Sequence, residues 1–162
     1  MTSQMLLKDP TVDALCEAIA AELHSMESMA EMARDEATSA ETKAEGKYDT
    51  RATEASYLAR GQAWRIAELR KLRSWLMTDS ARAPTVPPCV QIGALVRVDG
   101  ARSEWLYVAP VGGGKALVNG TTVRIVSLVS PLGAAMEGLE VGDGFEVDTP
   151  RGRREYEVVA VS

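Results

Sequence analysis

The sequence predicts two domains of different class: an all-α antiparallel coiled-coil hairpin, then an α+β domain. Three observations carry this. Gly and Pro are almost absent between residues 11 and 77. The segment 78–91, TDSARAPTVPPCVQ, places Pro84, Pro87 and Pro88 among small and polar residues, and each Pro biases its predecessor away from helix. After it, short Val-rich runs alternate with Gly-rich turns. The expected organisation is a hairpin over 1–79, a linker over 80–89 and a second domain over 90–162.

The first helix is written as one stripe at steps of three and four: Val12, Leu15, Ile19, Leu23, Met26, Ala30, Ala33, Ala37, Ala40 and Ala44. Asp9-Pro10-Thr11 with Asp13 marks its start through an early Pro, a capping hydroxyl and negative charge. After Gly46 a second stripe runs Tyr48, Ala52, Ala55, Ala59, Ala63, Ile66, Leu69, Leu72 and Leu76. So short a connection folds the helices back on each other. Both stripes shrink from branched residues near the linker to Ala near Gly46. Arms of about 30 residues, ~45 Å long at ~1.5 Å per residue, make a thin probe tipped by Glu45-Gly46-Lys47-Tyr48-Asp49.

Acids dominate the first arm, and the second carries Arg60, Arg65, Arg70, Lys71 and Arg73. Two readings are compatible: salt bridges fixing the antiparallel pairing, and a basic face meeting nucleic-acid backbone. Trp64 and Trp75 are expected to pack at the hairpin base, with contact to a partner as the alternative. The tip acids Glu41, Glu45 and Asp49 form either a solvated turn or part of a Mg²⁺ site completed by another macromolecule, since such ions take one or two carboxylates and keep their waters.

In the second half, strands are expected at 94–98, 104–108, 122–126, 145–148 and 156–159. One helix is expected from Ser130 as N-cap through Pro131 to a stop at Gly138. Gly112-Gly113-Gly114-Lys115 lacks the spacing of a phosphate loop and reads as a flexible hairpin loop.

Composition narrows function. The 162 residues are 46% hydrophobic and 25% charged, as in a globular protein, and the net charge of −5 argues against a general nucleic-acid coat. Cys16 and Cys89 are far apart and His24 is the one histidine, which suggests neither zinc nor a disulfide framework. No stretch approaches the ~20 apolar residues of a membrane span. The expectation is a cytoplasmic protein with no membrane partner, monomeric because the Ala stripes satisfy each other.

The run VSPLGAAMEGLEVGDGFEVDTPRGRREYEVVAV, placed after a coiled coil with an acidic tip, is similar to the bacterial GreA/GreB transcription elongation factors. The matching residues are Ser130-Pro131, Gly138, Val141-Gly142-Asp143, Thr149-Pro150, Gly152 and Glu155-Tyr156-Glu157. The resemblance implies an FKBP-like second domain without prolyl isomerase activity, docked on RNA polymerase near its secondary channel through Ser130 and Pro131, with Leu132 and Met136. It implies that the hairpin enters the channel, where Glu45 and Asp49, supported by Glu41, Lys47 and Tyr48, help the polymerase hold a second Mg²⁺ and cleave the 3′ end of nascent RNA. Arg60 and Arg65 would be the RNA-facing patch. On this reading the protein is an accessory factor rather than an enzyme, and holds no metal when free. The family's tip carries Asp, two residues, then Glu; here Glu45 takes the first place, Tyr48 the second, and Asp49 follows one position later. Two other outcomes stand beside cleavage: a non-catalytic regulator that blocks the channel, and a coiled coil serving only as an adaptor or for oligomerisation.

Overall fold

The computed structural model describes residues 4–41 and 50–162, the side chains of 40, 41 and 50–55 excepted. Helix α1 spans Lys8–Glu41 and α2 Thr50–Leu76. Then come strands β1 (Leu95–Asp99), β2 (Ser103–Val108), β3 (Lys115–Val118) and β4 (Thr121–Val126), helix α3 (Pro131–Met136), and strands β5 (Gly144–Thr149) and β6 (Gly152–Val161). Among the described residues no helix is long and apolar enough to cross a membrane.

The base of the hairpin is pinned antiparallel. Arg82, beyond the end of α2, pairs with Asp13 in the second turn of α1 at 2.7 Å, and the Lys8 ammonium donates to the Ala83 carbonyl at 2.7 Å. The Thr11 hydroxyl does not cap α1; it donates back to the Leu7 carbonyl at 2.7 Å. Val12, Leu15, Ile19 and Leu23 are buried against Ile66, Leu69, Leu72 and Leu76. Outward, Met26 and Ala30 are half-buried, and 31–39 and 56–61 are exposed. The buried stripe thus fades as its residues shrink to Ala.

The six-stranded sheet has the order β3-β4-β2-β1-β6-β5. It is mixed: β2 and β4 run parallel, while every other neighbouring pair is antiparallel. Strand β3 is not among the expected strands; it follows the glycines read as a hairpin loop and takes the sheet edge, and β4 returns between β3 and β2.

Both faces of the central strands are covered. With side chains alternating along a strand, Leu95, Trp105, Tyr107, Val123 and Ile125 join the core that contains the hairpin base. Val96, Val98, Leu106, Val108, Val126 and Met136 form a second core beneath α3. The two halves are therefore not structurally separate: hairpin base, sheet and α3 make three layers.

Tyr107 ties these layers to the linker. It is fully buried, donates its hydroxyl proton to the Ala81 carbonyl at 2.8 Å and accepts from the Trp75 indole N–H at 3.2 Å. Trp75 packs at the base as expected. Trp64 does not: it lies two residues from Ile66, so roughly opposite it around the helix, and is 67% exposed.

Burial pushes the Tyr107 hydroxyl from 10.0 up to about 12. The folded value lies above the unfolded one, so this contribution to stability is intact below pH 10 and disappears as the pH rises through about 12. We expect alkaline unfolding in that window, with tyrosinate absorbance and loss of helix rising together. Tyr107→Phe removes that steepening and costs about 1–3 kcal/mol at neutral pH by leaving the buried Ala81 carbonyl and the half-buried Trp75 indole N–H without this partner.

Candidate partner-docking surface

Strand β4 leads through buried Ser127 into a short turn and α3. Ser130 holds this turn from both sides. Its hydroxyl donates to the Ser127 carbonyl at 2.7 Å and accepts from the Gly133 N–H at 3.1 Å. Pro131 occupies the first turn, where its missing N–H costs nothing and its fixed φ suits the helix. Gly133 is buried so closely that a Cβ there would lie 2.0 Å from the Ser127 carbonyl oxygen.

Past α3 the chain leaves through Gly138 at φ 76, whose N–H donates to the Val90 carbonyl at 2.8 Å; the Val90 N–H donates to Leu139 O at 2.8 Å. The Val141-Gly142-Asp143 turn is closed by the Asp143 carboxylate, which accepts from the Glu140 N–H at 2.8 Å. In the β5–β6 turn the Thr149 hydroxyl donates to the Gly152 carbonyl at 2.7 Å. Phe145 and Tyr156 stack across these strands with centroids 5.3 Å apart.

The expected docking residues divide. Pro131 is exposed, and Ser130 and Leu132 are half-buried. Met136 is fully buried in the second core, because it faces the sheet from the inner side of α3, and presents no surface to solvent. The residue sequence reasoning missed is Val129. It is 92% exposed, the most exposed large hydrophobic side chain among the described residues, and sits on a turn fixed at both ends. Val141 is also 59% exposed. A large apolar side chain directly before an Ser-Pro N-cap was the available signal.

On the hairpin, Arg60 is exposed and stands over the Tyr57 ring at 5.8 Å from its centroid. Arg65 is engaged within the chain: its guanidinium pairs with Glu22 at 3.0 Å and donates to the Gly112 carbonyl at 3.4 Å. Arg70 pairs with Glu27 at 2.6 Å. These are the interhelical ion pairs expected from the charge division. The tip residues Glu45, Lys47, Tyr48 and Asp49, with the turn expected at Gly46, lie outside the described residues, as does the side chain of Glu41.

Residues 88–162 match the family model for the C-terminal domain of the transcription elongation factors GreA/GreB. The transcription inhibitor protein Gfh1 of Thermus thermophilus is 41% identical over 73 residues, covering 44% of this chain and 46% of that protein. The transcription elongation factor GreA of Rickettsia prowazekii is 37% identical over 90 residues, covering 51% and 53% respectively. The chain spans about half the length of the curated relatives it matches. A crystal structure of Gfh1 from Thermus thermophilus aligns over 92% of this chain and 95% of that one with 21% identity and a TM-score of 0.38, too low to add to the assignment. The matched segment contains the β-sheet, the Ser130 cap and the two closed turns described above, and over residues 88–162 the chain is similar to the C-terminal domain of the GreA/GreB transcription elongation factors.

Proposed function

We propose that this protein is an accessory transcription factor that docks on RNA polymerase through the Val129–Leu132 turn and places its hairpin in the secondary channel. The observation that carries this reading is the exposure of Val129 and Pro131 on a turn held by Ser130 and Gly133, within the segment matching the family's C-terminal domain. An apolar anchor on a preorganised turn loses little entropy when a partner covers it. The polymerase performs the chemistry.

Two effects are compatible with docking. In the first, Glu45 and Asp49 join a Mg²⁺ at the polymerase centre and promote cleavage of the nascent RNA 3′ end; the chemistry supplied by such an ion is activation of the attacking water and neutralisation of developing charge. In the second, the inserted hairpin blocks the channel without promoting cleavage. Two features support the second: Tyr48 stands where the family's second tip acid is expected, and one relative is a transcription inhibitor, 41% identical over 73 residues.

Stalled elongation complexes separate the two. Shortened transcripts with the wild type, lost in Glu45→Ala/Asp49→Ala, support cleavage. Slower nucleotide addition with no shortened transcript supports the second. No effect on either, at concentrations that saturate the polymerase, removes the proposal.

A further inference from the structure

The Gly112-Gly113-Gly114 run is neither a phosphate loop nor a free hairpin loop. Gly113 and Gly114 lie directly against side chains of the hairpin. A Cβ on Gly113 would sit 2.9 Å from the Arg65 Nη1, and one on Gly114 would sit 2.6 Å from the Ile19 Cδ1. Both glycines also have positive φ, 93 and 102. The loop continues the sheet's hydrogen bonding, since the Gly113 N–H donates to the Ile125 carbonyl at 3.1 Å and the Ile125 N–H donates to the Gly114 carbonyl at 2.9 Å. It is therefore an extension of β3 along β4, against which Ile19 of α1 and Arg65 of α2 are seated.

We infer that Arg65, Glu22 and the Gly112–Gly114 notch act as a latch fixing the direction of the hairpin relative to the docking turn, with Arg65 as its positioning residue. The shared core holds the two halves together, but burial of apolar surface is non-directional and tolerates sliding. Direction comes from groups with fixed geometry. Arg65 on α2 reaches Glu22 on α1 and the Gly112 carbonyl on the sheet side at once, so one guanidinium ties all three elements. The docking turn leaves the same, C-terminal end of β4, where Gly113 and Gly114 bond to Ile125 and a Cβ on Gly112 would lie 3.1 Å from the Ser127 N, so the strand end that seats the hairpin also carries the docking surface. A few degrees of error at the latch is multiplied along the part of α1 from Glu22 to its end at Glu41, about 30 Å at ~1.5 Å per residue.

The consequence for function rests on the docking reading above; the latch itself is testable in the free protein. Spin labels at Glu36→Cys on α1 and Leu117→Cys on β3, in a Cys16→Ser/Cys89→Ser background, report hairpin direction by pulsed dipolar spectroscopy. The expected result is one narrow distance distribution, broadened or shifted by Arg65→Gln and by Gly113→Ala, with Arg65→Lys retaining more of it than Arg65→Gln. Circular dichroism checks folding; if Gly113→Ala fails to fold, Arg65→Gln decides. An unchanged distribution in folded Arg65→Gln overturns the latch. In the polymerase assay, Arg65→Gln is expected to bind within about twofold of wild type, as a substitution away from the docking turn should, yet to lose most of its effect on transcription. If the distribution broadens while wild type fails to bind polymerase, the latch stands and the docking reading falls.

Discussion

Gly133→Ala is expected to destabilise the C-terminal half by about 3 kcal/mol, toward the upper end of overpacking costs, lowering the melting temperature by roughly 10 °C. The added methyl would lie 2.0 Å from the Ser127 carbonyl oxygen and 2.9 Å from the Leu128 Cα, both backbone atoms with no rotamer to yield. Relief requires moving Ser127 away from Ser130, which breaks the cap. The loss therefore falls on both stability and the shape of the Val129 turn. Gly138→Ala is the contrast: unlike Gly133 it has a positive φ, 76, but there is open space around the added Cβ. It should cost only the ~1–2 kcal/mol of a left-handed non-glycine residue. Thermal melts of the two variants side by side check this, and equal destabilisation would contradict it.

Leu15→Ala is expected to cost about 2–5 kcal/mol, the range for emptying a fully buried leucine site. Its wider consequence follows from the shared core. Leu15 is completely buried in a cluster containing Leu69 and Leu72 of α2 with Trp105, Tyr107 and Ile125 of the sheet. A cavity there weakens all three contributors. Amide hydrogen exchange should accelerate together in Leu69, Leu106 and Ile125, and the protein should unfold in one transition. Acceleration confined to the helices would mean that hairpin and sheet are independent.

Much of this architecture is legible in the residues, and the failures share a cause. The Ser130 cap, Pro131 and the stop at Gly138 are local signals satisfied by local bonds, and α3 forms where they predict. The strands around Val96, Leu106, Ile125, Val147 and Val158 are also found. Their continuous apolar runs, such as Trp105 to Val108, already imply a sheet covered on both faces. What was missed is non-local. The strand Lys115–Val118 is short and adjoins glycines, and the parallel pairing of β2 with β4 depends on where the chain returns, which no local pattern records. Arg65 illustrates the same limit at the site. From sequence it is one of several basic residues on α2, available to RNA; its pairing with Glu22 and Gly112 appears only once three elements meet. Many of the residues carrying the family resemblance, including Ser130, Gly138, Asp143, Thr149 and Gly152, prove to be turn and cap residues. They maintain the shape of the domain, whereas Val129, which the resemblance did not single out, presents the apolar surface.

The central claim is that the Val129 turn is the docking contact. Its most direct test is the affinity of wild type and Val129→Asp for core RNA polymerase, measured by titration. Val129 is almost entirely solvent-exposed, so the substitution should leave the melting temperature nearly unchanged. If Val129 is a buried anchor of the complex, affinity falls by about tenfold or more, the cost of placing a charge where an apolar side chain should be covered. A Val129→Asp protein that is folded and binds core polymerase as tightly as wild type would contradict the account.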